Sequence, residues 1–244
     1  AGTGPAGIAT LVGAAVGYVV FGGFDWGIRY VATCVIIFTV LFVFQSLKLA
    51  DKSWFPPLVA GGICTVTASL NTYELGGNAQ AVLAIFTEIA MASGCTYFFG
   101  LALSDAPRDT DFSELRHGVG VMLLVACLLM AFSRIILFKA ISVGRVLAMM
   151  VVMSASLSGG SLSGCGAGAV LGLAMDLSSG ASLYYILAYV MGGLISGCFA
   201  KHAKLTFALS YVLTTALCFI WVLPQETRLS LLYEGFISSV LFML

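Results

Sequence analysis

Almost all of this 244-residue chain lies in continuous apolar runs about as long as a bilayer is thick. Crossing the hydrocarbon takes roughly 20 mostly apolar residues as a helix. On that criterion about ten segments stand out, at 4–22, 27–47, 55–72, 79–103, 118–138, 142–158, 161–177, 181–200, 204–223 and 228–244. Several are short, so eight to ten crossings fit. The runs lack the alternation of barrel strands. The expected fold is therefore all-α: one polytopic transmembrane helical bundle over residues 1–244.

Composition closes the other routes. The chain is 60% hydrophobic and 9% charged, with a mean hydropathy of +1.06. Soluble domains run roughly 45–50% apolar and about 25% charged. A soluble enzyme and a disordered chain are both excluded. Eleven Lys and Arg against eleven Asp and Glu leave no basic field for nucleic acid. The lipid bilayer is the expected solvent and first partner.

Turn chemistry marks the connections. Gly22-Gly23 separates the first two runs, Pro56-Pro57 opens the third, Gly76-Gly77-Asn78 precedes the fourth, and Pro224 follows the ninth. Trp54 and Trp221 fall near expected interfaces. The stretch 104–117, with four carboxylates and two arginines, is expected to be a wet loop. With the N-terminus inside, six Lys and Arg lie inside and five outside, barely favouring cytoplasmic termini. The chain opens at Ala1 with no basic leader region, so a trimmed start or a piece of a longer protein is expected.

The seven cysteines are scattered and never form CxxC, so they read as small buried hydrophobes. His117 and His202 lack metal-ligand spacing, and no Ser/His/Asp or Cys/His set can be assembled. No catalytic or metal site is expected in this chain.

Charges inside the runs carry more information. Glu88 sits about ten residues into the fourth run, where a carboxylate needs a proton, a partner or water. Glu234 is similar but closer to an end. The expected structural roles are a protonated Glu hydrogen-bonded to a neighbouring helix or an ion pair with Arg134 or Arg145; proton or ion coupling is the functional alternative. Asp176 and the 201–204 stretch lie at run ends, an ordinary place for charge.

Glycines form the other pattern. Gly13 and Gly17, the run containing Gly166, Gly168 and Gly172, and the group Gly192, Gly193 and Gly197 are expected to let helices approach closely. The 159–172 region also reads as a Gly-broken helix of the kind that lines transporter sites. A faint internal similarity joins Gly13-xxx-Gly17 before Tyr30 to Gly168-xxx-Gly172 before Tyr184-Tyr185. It would suit a five-plus-five repeat.

An ordered series of short stretches resembles a known family. These are Gly13-Ala-Ala-Val-Gly17-Tyr18 with Gly27-Ile-Arg29-Tyr30, Ile141-Ser-Val-Gly144-Arg145, Gly166-Ala-Gly-Ala-Val-Leu-Gly172, Tyr189-Val-Met-Gly192-Gly193-Leu-Ile-Ser-Gly197 and Leu232-Tyr233-Glu234. Together they resemble the N-terminal membrane region of the stage II sporulation protein E family of endospore-forming Firmicutes. The resemblance implies a membrane anchor of about ten helices followed by a PP2C-type, manganese-dependent serine/threonine phosphatase domain. It also implies dephosphorylation of an anti-sigma-factor antagonist, which activates the forespore sigma factor. Location at the asymmetric septum, and FtsZ and septal sporulation proteins as partners, follow from it too, while self-association is expected from the small-residue helix faces. The phosphatase aspartates are absent from these 244 residues, so no cofactor is expected here. The expected role is anchoring, localisation and assembly; the alternative is a small secondary transporter using Glu88 and the Gly-broken helix.

Overall fold

The computed structural model describes residues 5–45, 52–74, 79–103, 111–137, 141–180, 183–222 and 225–244. Among them are nine α-helices and one short hairpin: α1 (Pro5–Gly22), α2 (Phe24–Gln45), α3 (Phe55–Glu74), α4 (Ala79–Ala102), α5 (Asp111–Ser133), β1 (Ile136–Leu137), β2 (Ile141–Ser142), α6 (Val143–Ser179), α7 (Tyr184–Cys198), α8 (Lys204–Val222) and α9 (Gln225–Met243). Five stretches are long and apolar enough to cross a membrane: Gly27–Gln45, Val82–Ala102, Glu114–Ser133, Val143–Ser179 and Lys204–Trp221. Shorter apolar helices occupy Gly7–Val20, Phe55–Ser69, Tyr184–Cys198 and Leu229–Met243.

Two expectations need correction. The count is nine helices among the described residues, not ten, because the sixth and seventh apolar segments belong to one element, α6. And 111–117, read as loop, forms the first turns of α5; the charges there sit at a helix start. Residues 76–78, 104–110, 139 and 224 lie outside the described residues.

Helix α6 is not straight. Gly160 has φ 74° and ψ −166°, a conformation essentially reserved for glycine. Eight residues along a straight helix span about 12 Å, yet a Cβ added to Gly164 would lie 2.5 Å from the Ser156 Oγ. The chain therefore reverses at Gly160, and 143–159 lies against 161–179. Gly23, with φ 79°, makes a similar one-residue break between α1 and α2. Across it a Cβ on Gly27 would meet the Tyr18 carbonyl oxygen at 2.6 Å, and the Tyr18 and Tyr30 rings stack at 5.1 Å.

The chain divides into two compact units, Ala1–Val121 and Met122–Leu244. In the first, α1 to α4 lie against their sequence neighbours, with Phe55, Val59, Ala60, Cys64 and Ala68 of α3 buried. Thr33 of α2 bonds Thr67 of α3 at 3.2 Å. In the second, Met149, Val152, Met153, Leu171, Met175, Tyr189, Phe207, Tyr211 and Phe219 form the core, contributed by α6, α7 and α8. Its polar groups point inward: Ser156, Ser196, Thr215, Glu234 and Ser238 are buried, while Leu162 is 87% and Trp221 88% exposed. That inversion of the soluble pattern suits hydrocarbon as the surroundings.

Candidate functional site

The second unit holds a buried polar cluster at one end of α6. The Arg145 Nη2 pairs with the Glu234 Oε1 at 2.9 Å, and the Ser142 N–H donates to the same oxygen at 2.7 Å. Arg145 also donates through Nη1 to the Tyr185 hydroxyl, and its guanidinium carbon stands 5.6 Å from that ring's centroid. The Tyr189 hydroxyl reaches the Arg145 carbonyl at 3.4 Å. Thus α9, β2, α6 and α7 all converge on one guanidinium and one carboxylate. Glu234 Oε2, Arg145 Nε and the Tyr211 hydroxyl are buried without a hydrogen-bond partner among the described residues.

A few residues away, Asp176 does different work. Its two carboxylate oxygens accept the backbone N–H groups of Tyr185 at 3.0 Å and Ile186 at 2.9 Å. These are donors that the first turn of α7 cannot satisfy internally. The N-cap itself is Leu183, in the left-handed region with no side-chain acceptor to offer. Asp176 caps α7 from the end of α6, and its negative charge suits the positive pole of that helix. In the sequence it is an ordinary charge at a run end. Only the short 177–183 connection hinted at more.

Between α6 and α7 the backbones nearly touch. A Cβ on Gly168 would lie 2.5 Å from the Tyr189 carbonyl oxygen, and one on Gly164 would lie 2.7 Å from that of Gly193. Gly172 abuts the Ile186 backbone, Gly197 that of Ser161, and Gly193 that of Gly164. Gly192 faces the Tyr211 ring and Thr215 of α8. Ser156 completes the seam, donating to the Gly193 carbonyl at 2.7 Å and lying 3.1 Å from Ser196 Oγ. Gly144, whose added Cβ would meet Leu129 and Ser133 of α5, is a close-approach glycine that the run of glycines in the sequence does not include. By contrast, Gly13, Gly17 and Gly166 have nothing within 4 Å of an added Cβ. The resemblance between the two Gly-xxx-Gly pairs therefore does not extend to their surroundings.

In the first unit Glu88 meets neither Arg134 nor Arg145. Arg29 of α2 spans both its oxygens, each at 3.0 Å, with the side chains 20% and 27% exposed. The same guanidinium stands 5.2 Å from the centroid of the Tyr30 ring. No feature of the sequence singles out Arg29 as the partner of Glu88. Arg134 is exposed and has no ion pair among the described residues. No group of three or more His, Cys, Asp or Glu that could hold a metal occurs among the described residues.

An all-helical body with polar side chains turned inward, ion pairs spanning its helices and an apolar outer surface is a membrane-embedded domain. The family model for the SpoIIE N-terminal domain matches residues 5–244, and the chain belongs to that family. It is a sporulation-associated membrane domain. No curated protein matches the chain. No solved structure matches it either.

Proposed function

We propose that this domain anchors and positions a phosphatase at the sporulation septum, and that it does so partly by assembling with copies of itself. The observation that carries this reading is the family match over residues 5–244. In the proposed full-length protein a PP2C-type domain, using manganese, acts on the anti-sigma-factor antagonist and so activates the forespore sigma factor. FtsZ and septal sporulation proteins are the proposed partners of the assembly. The α6 halves lie side by side and each is about 25–28 Å long at 1.5 Å per residue; counted separately, they raise the proposed crossings to about ten. Three features support the scaffold role. The α6–α7 seam is backbone against backbone, which makes for a rigid intramembrane body. The ion pairs are internal to the units and consume the charges a transporter would expose. Gly13, Gly17 and Gly166 leave open faces where a second copy can approach.

Expression of the 244 residues fused to a fluorescent protein in sporulating cells tests the reading. Septal enrichment with oligomers in detergent is the expected result. Uniform labelling of all membranes, or a monomer at every concentration, refutes it.

A further inference from the structure

Where α5 ends and β1 begins, a pocket of about 240 Å³ is lined by Ser133, Arg134, Ile136, Arg145, Ser178 and Ser179. Its chemistry is mixed in a specific way. Arg134 is exposed and lacks an ion pair among the described residues, so its guanidinium is available. Arg145 is largely committed, to Tyr185 and Glu234. The serine protons are committed as well. Ser178 donates to the Met175 carbonyl at 3.0 Å and Ser179 to the same carbonyl at 2.8 Å, while Ser133 bonds Met130 and Ser178. What the serines offer a ligand is therefore oxygen lone pairs.

The charge balance selects the ligand. Two guanidinium charges stand near two carboxylates, those of Glu234 and of Asp176, which lies two residues before Ser178. Two helix C-termini, those of α5 at Ser133 and α6 at Ser179, each contribute about half a negative charge, and two N-termini, those of α6 at Val143 and α7 at Tyr184, each about half a positive charge. The total is close to zero, which gives little hold on a free phosphate dianion but suits a group carrying both signs. The rim adds a third property. Ile135, Ile136 and Leu137 are consecutive, apolar and 48%, 59% and 49% exposed. A ligand here meets a cation, a set of acceptors and a greasy edge together, immediately beyond the apolar stretch that ends at Ser133.

We infer that this pocket binds the headgroup of a zwitterionic phospholipid, its phosphodiester on Arg134, its ammonium against the Ser178 and Ser179 oxygens, and its acyl chains along Ile135–Leu137. Guanidinium–phosphate contacts are strong, directional hydrogen bonds.

Native mass spectrometry of the whole chain, delipidated and offered equal phosphatidylethanolamine and phosphatidylglycerol, provides the test. Phosphatidylethanolamine should be retained preferentially, and Arg134→Gln should cut that retention about five-fold, the loss of roughly one charge-assisted contact. Lys204→Gln should leave it unchanged. Lys204 starts α8 at the other end of the unit, because α7 runs parallel to the first half of α6, Arg145 meeting Tyr185 and Ser156 meeting Gly193. Millimolar inorganic phosphate should not displace the lipid. Equal or greater retention of phosphatidylglycerol, displacement by phosphate, equal losses in both variants, or no retained lipid would each overturn the assignment.

Discussion

The carboxylate of Glu234 is fully buried, yet one of its oxygens, Oε1, takes both the Arg145 ion pair at 2.9 Å and the Ser142 N–H at 2.7 Å. The pair ties the last helix to the start of α6. Removing one partner of a buried pair strands the other charge at a cost of about 3–5 kcal/mol, whereas replacing both with apolar groups is often neutral. Arg145→Met and Glu234→Met should each lower the melting temperature in detergent sharply, and the double variant should recover most of the loss. Additive losses would show that the two residues act separately.

Asp176 holds two backbone donors of α7. Loss of such a cap costs about 1–2 kcal/mol. Asp176→Ala should speed amide exchange at Tyr185 and Ile186 selectively, with the α8 amides unchanged. Asp176→Asn, which keeps one acceptor, should fall between.

Gly160 and Gly168 are needed for different reasons, and Gly13 makes no contact that a side chain would disturb. Gly160→Ala forces a side chain into a glycine-only conformation, worth about 1–3 kcal/mol. Gly168→Leu drives a side chain into the Tyr189 backbone and should abolish the folded domain. Gly13→Leu, with nothing within 4 Å, should leave the melting temperature of the monomer unchanged while reducing self-association. Circular dichroism melts together with detergent-phase sizing separate the three.

Arg29 and Glu88 both lie in stretches long and apolar enough to cross the membrane, where a charge left without its partner costs about 2.5–3.5 kcal/mol. Glu88→Gln should therefore lower the melting temperature in detergent, and the swap of Arg29→Glu with Glu88→Arg should restore most of the loss. An unchanged melting temperature for Glu88→Gln would show that the stability of the first unit does not depend on this pair.

Much of the architecture is legible in the sequence because hydrophobic length is a one-dimensional property. The boundary between runs at 159–160 coincides with the break at Gly160, and the Gly22-Gly23 turn with the break at Gly23. Partnership is not one-dimensional. Glu88 has its cation in a helix distant along the chain, and nothing at either position encodes which arginine it meets. Glycine spacing likewise marks which helices can approach closely but not which do: Gly168 and Gly172 meet α7, whereas Gly13 and Gly17, identically spaced, meet nothing. Asp176 was hidden for another reason. A cap supplied from the preceding helix leaves no capping residue at the N-cap position, where Leu183 stands.

The reversal at Gly160 has a consequence for which changes in length the chain tolerates. Each residue of an α-helix turns its successors through about 100°. One residue added or removed between Gly160 and Gly164 would swing the second half of α6 by that angle, turning Gly164, Gly168 and Gly172 away from α7 in a single step. Insertions in this stretch should therefore be far more damaging than most substitutions, with the neighbouring seam acting as a gauge that admits one length only.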